Sequence, residues 1–238
     1  MLDIGIYAPV ASLWEFLGFK EIYGVSKDEW AVASKEHEKK ASSMGKVFRL
    51  LFLDVEREPL PFENEFFDVV VMLEVIEHFS VHPWHAISEI NRVMKRGGIF
   101  VITSPNAISA RILAGLVMGR NSFSDAYNGI DSNRHNRLYS LEEIREILAC
   151  GGFKPLILKT VNIYEWNILQ TMWLWGLDLF DSLLRLFRGK RELMGRGDMI
   201  LAVGKKVGVA GSPPCFLYID PEIWGAWYKA VTALNGSK

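Results

Sequence analysis

The tightest constraint on the fold lies in one run: Phe66-Phe67-Asp68-Val69-Val70-Val71-Met72-Leu73-Glu74-Val75-Ile76-Glu77-His78. A continuous apolar stretch bounded by turn signals reads as a strand covered on both faces, the environment of a parallel strand in a sheet packed between helices. Upstream, Leu53-Asp54-Val55-Glu56 gives way to Pro59, Pro61 and Asn64, so a second strand ends in a loop. Downstream, the pattern predicts a polar helix over Ala86 to Met94. Lys95-Arg96-Gly97-Gly98 then makes a turn, and the strand Ile99 to Thr103 is stopped by Ser104-Pro105-Asn106. This alternation predicts a doubly wound α/β sheet. Such sheets take ligands beyond the carboxyl ends of their strands. Asp54, Glu74, Ser104 and Asn106 fall at those ends.

The remaining elements extend the same rhythm. Met1 to Gly5, Ile22 to Ser26, Val47 to Leu53, Leu156 to Val161 and Asp198 to Gly204 read as strands. Val10 to Leu17, Trp30 to Met44 and Ile108 to Met118 carry helical spacing. The last of these lies in a stretch, Asn106 to Asn136, expected to cover the mouth of the site. Ser140 and Glu143 have the spacing of a capping box, opening a helix that ends at Cys150-Gly151-Gly152. The expected organisation is an α/β domain over residues 1–161 and 198–207, an apolar helical insertion over 162–197, and a tail over 208–238. No signal peptide is expected ahead of the first strand, because the first residues already read as that strand.

Composition narrows the partners. Lys plus Arg number 27 against 28 Asp plus Glu, a formal net charge of −1, and no basic stripe with interleaved aromatics appears. Nucleic acid is therefore not expected as a partner. Two cysteines imply neither a disulfide framework nor a structural zinc site, which fits a reducing cytoplasm.

Four pieces in order now carry a resemblance: Leu2-Asp3-Ile4-Gly5; Asp54-Val55-Glu56 with Leu60-Pro61-Phe62 and Phe67-Asp68-Val69-Val70; Glu74-Val75-Ile76-Glu77-His78; and His135-Asn136-Arg137-Leu138-Tyr139-Ser140 leading to Gly152-Phe153. The chain resembles the class I S-adenosylmethionine-dependent methyltransferases, in the branch with small-molecule, quinone and sugar methylating enzymes. The resemblance implies a seven-stranded, mostly parallel sheet with an antiparallel final strand, and S-adenosylmethionine as cofactor. It places Asp3, Gly5, Ser26, Asp54, Val55 and Glu74 against that cofactor. Relatives carry further glycines after the first strand and an acidic residue at the end of the second. Here Gly5 is followed by Ile6-Tyr7-Ala8-Pro9, and Ser26, with Asp28 two residues on, stands where the acid is expected. Relatives also carry a helix ahead of the first strand, so one side of the cofactor is expected to be less covered. Two readings of the altered turn stand: it is rebuilt around Tyr7 and Pro9 and still binds, or the fold persists without catalysis as a binding or scaffold subunit.

Methyl transfer needs acceptor and donor held in line, and an oxygen acceptor also needs a base. His78 and His135 are the candidate bases. Each also has a plain reading, His78 as a helix-start residue bonded to a loop and His135 as a surface-loop histidine. Spacings of three and four put Glu74, Glu77 and His78 on one face of a helical turn, where they could hold a divalent cation. The resemblance leaves the metal open: similar Glu-x-x-Glu-His clusters hold one in quinone-ring and small-RNA-terminus methyltransferases, the latter with a later His placed as His135 is here, while the same five-residue pattern occurs in many metal-free relatives. Ile163 to Phe187, rich in Trp and Leu with Arg185, Arg188, Lys190 and Arg191 at its end, reads either as an amphipathic helix in a membrane interface or as a lid or homodimer face. The expected acceptor is a small or lipid-linked molecule. The protein is expected to be cytoplasmic, with a peripheral membrane contact if the first reading of that helix holds.

Overall fold

The strand at the centre of the sheet, β1 (Leu2–Ile4), is three residues long and fully buried. It pairs in parallel with β2 (Glu21–Ser26) on one side and β4 (Phe67–Leu73) on the other. The computed structural model describes residues 1–6, 17–27, 47–119, 135–163, 195–214 and 217. Among these, β3 (Val47–Phe52), α1 (Trp84–Val93), β5 (Met94–Pro105), α2 (Ala110–Val117), α3 (Leu141–Cys150), β6 (Phe153–Val161) and β7 (Met199–Lys206) complete the architecture. The seven strands run in the order β3-β2-β1-β4-β5-β7-β6. β7 runs antiparallel to both neighbours and the other pairings are parallel, as expected. The helices expected at Val10 to Leu17 and Trp30 to Met44 fall almost wholly outside the described residues, as do most of the insertion and the tail.

Alternation along β4 builds both layers. Val70 and Met72 join the larger core with Leu2, Ile4, Phe100 and Ile102, beneath α1 and α3. Val71 faces the other way, with Met1, Ile6 and Ile22. This period of two is what a pleated strand imposes. α1 buries Trp84, Ile87, Ile90 and Asn91 at helical spacing. α3 begins with the predicted capping box: Glu143 N donates to Ser140 Oγ at 3.3 Å, and Ser140 N to Glu143 Oε2 at 2.7 Å.

β4 stops at Leu73, so Glu74 falls at the strand end as expected, and a short 3-10 turn covers Ile76–His78. Two expectations are corrected. Lys95 to Gly98 is no simple turn, because β5 already begins at Met94; these residues loop out where the β4 register slips between Phe67 and Val69. Gly97 supplies the positive φ, +83°, that this bulge needs. β6 starts at Phe153 rather than Leu156, with Pro155 tolerated because β6 is an edge strand.

Buried polar groups stitch the far edge together. Asn91 Nδ2 donates to Gly151 O at 2.7 Å and Gly208 O at 3.0 Å. Lys206 is buried, and its Nζ donates to Asn91 O at 2.8 Å and Met94 O at 2.7 Å. One ammonium thus caps the end of α1 and holds it to β7. Lys206→Met would keep the stem's packing but leave both carbonyls unmet, at about 1–3 kcal/mol. The expected result is a Tm lower by several degrees in a thermal melt.

Candidate functional site at the carboxyl ends of β1 and β4

The chain runs outward from β1 to β2 and β3, then returns to the other side of β1 with β4, so strand order reverses between β1 and β4. In an open α/β sheet that reversal opens a crevice at the strands' carboxyl ends. Gly5 sits on its rim, exposed, with φ +78° and its N–H donating to Val25 O at 2.7 Å. A Cβ at Gly5 would collide with Val75 Cγ2, so glycine is demanded twice, by backbone angle and by the approach of the β4 end. Ile6 turns inward onto Gly24, where a Cβ would lie 2.6 Å from Ile6 Cγ2. The turn leaving β1 therefore keeps its first backbone unit open and buries the next side chain. Tyr7, Pro9 and Asp28 lie outside the described residues.

The other predicted binding residues surround this rim with different degrees of freedom. Asp3 is buried within the sheet, in register between Gly24 and Val71. Ser26 is buried at the end of β2, and its carbonyl accepts from Leu53 N at 3.1 Å. Val55 is buried in the turn after β3. Asp54 is already engaged: Lys27 Nζ lies 3.0 Å and Arg57 Nε 3.8 Å from Oδ2, and Glu56 N donates to Oδ1 at 3.1 Å. That ion pair latches the ends of β2 and β3 together.

The segment after β4 departs from expectation. Glu74 adopts a left-handed backbone, φ +54°, unusual for a residue with a side chain. Its N–H reaches both the carbonyl and the hydroxyl of Thr103, each at 3.2 Å. The chain then turns sharply, so Glu74, Glu77 and His78 do not share a helical face. Glu77 and His78 meet His135 instead, with one ligand atom from each lying within 4.8 Å of the others. Glu77 Oε1 is 3.9 Å from His78 Nε2, and the two imidazoles pack edge to face at 4.9 Å. His135 is delivered by backbone bonding: Asn136 N and Arg137 N donate to Glu77 O at 2.7 and 3.2 Å, and Asn136 Nδ2 to His78 O at 2.8 Å. Residues 106–107 receive the same returning segment, through Ala107 N to Tyr139 O at 2.9 Å.

Glu77 is fully buried, and among the described residues neither carboxylate oxygen accepts a hydrogen bond of full geometry, the Ser104 hydroxyl offering only a weak one. Burial first, and then the charge of Glu74, push its carboxyl up to about 8, with the nearby Ser104 hydroxyl easing it only slightly. Burial likewise raises Glu74, whose Oε1 is also without a partner. His135 is held below the usual imidazole range by burial and by His78.

Sequence reasoning marked Asn106 at a strand end but gave no role to Glu56 or Val75. Glu56 is buried, and its carboxylate accepts from Ser80 N, Ser80 Oγ, Val81 N and His82 N at 2.7–3.3 Å, fixing the loop that follows His78. Asn106 holds the far rim, its Nδ2 donating to Gly195 O at 2.9 Å and Gly197 O at 2.8 Å. Val75 read only as strand filling. No sequence signal marks these roles, since each depends on a partner distant in the chain.

Residues 2–102 match the family model described as a methyltransferase domain. No curated protein matches the chain. Among solved structures, the chain is similar to the YcgJ protein of Bacillus subtilis, at 20% identity over 87% of this chain and 91% of that one, with a TM-score of 0.55. It is similar to a SAM-dependent methyltransferase of Archaeoglobus fulgidus, at 18% identity over 86% and 85%, with a TM-score of 0.55. It is also similar to the [4+2]-cyclase SpnF, at 18% identity over 87% and 74%, with a TM-score of 0.53. The sheet and its helices are thus those of the class I methyltransferase fold.

The rim suits the cofactor such a fold implies. Gly5 is exposed on the rim and carries no side chain, Val75 filling the place of its Cβ, Ser26 ends β2, and the orphaned Glu74 oxygen suits a cationic group. Asp54 is the least available, because Lys27 holds it.

Gly5→Ala is expected to cost about 1–2 kcal/mol for the left-handed backbone alone. The clash with Val75 adds to this, so Gly5→Ala/Val75→Ala should recover part of the lost Tm. For Glu77 the sign follows from its raised carboxyl. Between 4.5 and about 8 the folded chain keeps a proton that the unfolded chain has released, so stability falls as pH rises through that window. In chelator-treated protein, Glu77→Gln is expected to flatten that slope and to raise Tm above pH 8, measured by thermal melts from pH 5 to 9.

Proposed function

We propose that this chain, whose residues 2–102 carry a methyltransferase domain, transfers a methyl group from S-adenosylmethionine to an oxygen of a small or lipid-linked acceptor. The observation that carries the reading is the pairing, on one rim, of an open glycine turn at the switch point with the Glu77, His78 and His135 cluster beside it. S-adenosylmethionine, when bound, supplies a methyl group on a positively charged sulfur. Gly5 offers bare backbone to it, the Ser26 hydroxyl and buried Val55 suit its nucleoside, and Glu74 suits its cationic end.

Acceptor activation falls to the cluster. An oxygen acceptor has to lose a proton as its bond to carbon forms, and an imidazole near its neutral form is suited to receive it. His135, held below the usual imidazole range, is neutral at physiological pH and able to accept. His78 stands against it, and Glu77 lies beneath both.

The same fold in a [4+2]-cyclase shows that shape alone does not establish methyl transfer, so donor binding has to be measured. Isothermal titration with S-adenosylmethionine is expected to give saturable heat. Glu74→Gln is expected to weaken binding roughly tenfold, the loss of one charge-assisted hydrogen bond. Absence of heat at high micromolar donor would remove the enzyme reading and leave a silent fold acting as a binding subunit. For a lipid-linked acceptor, the full chain is expected to float with liposomes; protein that stays at the bottom of the gradient leaves only the small-molecule acceptor.

A further inference from the structure

We propose that the sheet face formed by β6 and β7, on the side away from α1 and α3, docks on a bilayer surface carrying anionic headgroups. Strand register places three cross-strand pairs on this face: Lys154 with Lys205, Ile157 with Val203, and Lys159 with Leu201. β5 continues the rows, since Ile99 lies beside Lys205 and Val101 beside Val203. The alternate positions Ile102, Ile200 and Ala202 are buried in the core with residues of α1 and α3. On the face itself every one of the paired positions is half-buried or exposed, Ile157 at 44%. Among the described residues, then, the sheet is packed on one side and presents a flat apolar and cationic surface on the other.

Charge selects the occupant. Lys154 and Lys205 stand directly opposite each other, a like-charge pair that weakens a sheet unless an anion meets both. Among the described residues none of the three lysines has an acidic partner, and no Asp or Glu shares their rows. The Lys205 stem passes the bulge over Lys95 to Gly98, its Cε 3.7 Å from the place of a Gly97 Cβ, and that bulge carries exposed Arg96. A second copy meeting this face through a two-fold axis would set lysine against lysine, so the face repels itself. Lipid headgroups meet it differently. Each lysine lays its stem along the apolar rows and keeps its ammonium at headgroup level, while Ile157 and Val203 reach the acyl boundary. The net charge of −1 does not oppose this, because at physiological salt fields decay within about 8 Å and the local patch decides. The face also ends at the right place: it runs from Lys205 up to Met199, which pairs with Pro105 at the carboxyl rim. Docking therefore brings that rim to the headgroups, where a lipid-linked acceptor presents its polar end.

The purpose of this surface rests on the function proposed above, but docking itself needs neither donor nor acceptor and is tested without them. The full chain is floated with vesicles of phosphatidylcholine alone or mixed with phosphatidylglycerol. Recovery with the mixed vesicles is expected to be several-fold higher and to fall as salt rises. Lys154→Glu/Lys159→Glu/Lys205→Glu is expected to cut partitioning about tenfold or more. Lys20→Glu, at an exposed position ahead of β2 on the other half of the sheet, leaves it unchanged. Lys205→Glu alone moves two readouts in opposite directions: it turns the like-charge pair with Lys154 into an ion pair, so Tm holds or rises while vesicle binding falls. A parent chain that stays at the bottom with anionic vesicles, or that binds a soluble acidic polypeptide and not the vesicles, overturns the surface. So does a triple variant that floats as well as the parent, an outcome that leaves a lipid-linked acceptor standing. Calorimetry with S-adenosylmethionine is run without vesicles, so failure of docking and failure of the methyltransferase reading give different results.

Discussion

The rim depends on the contact between Gly5 and Val75. β1 is only three residues long and is locked between two parallel neighbours, so its end cannot move to make room. β4 ends beside it and places Val75 against the glycine. Any side chain at position 5 would displace one strand end or the other. The left-handed Gly5 backbone and the left-handed Glu74 backbone mark the two sides of the same opening. Strained backbone of this kind persists where the surrounding structure over-determines it, and here the sheet does so.

Two buried carboxylates show how the molecule separates scaffold from site. Glu56 accepts four hydrogen bonds from residues 80–82 and is fully satisfied. It behaves as a structural anchor, holding the chain between the 3-10 turn and α1. Glu77, also buried, accepts no hydrogen bond of full geometry among the described residues. Both carry the same chemical group, yet one is fully hydrogen-bonded by the scaffold and the other is not. The electrostatic character of the site follows from that difference.

Much of the fold was legible before the structure. The apolar run through Val70 and Met72 demanded cover on both faces, and the capping box at Ser140 and Glu143 was readable because its two partners are three residues apart. The sheet's edges were less so: where β5 begins depends on the bulge over Lys95 to Gly98, a register matter set by β4 rather than by local propensity. At the site, Gly5, Ser26 and Glu74 were found at strand ends as expected. The arrangement of Glu74, Glu77 and His78 on one face was not, because that expectation assumed a regular helix where the chain makes a left-handed step and a 3-10 turn.

The order of apolar runs and turn residues by itself determined a doubly wound sheet and the strand ends at which its polar residues gather, since periodicity and punctuation are local properties. What only the tertiary structure decided is which of those residues meet. His135 joins Glu77 and His78 through backbone bonds across a separation of 58 residues, Val75 fills the space that makes Gly5 obligatory, and Lys27 occupies Asp54. These are long-range contacts, fixed by how strands register and how a returning segment docks, and no short stretch of sequence encodes them.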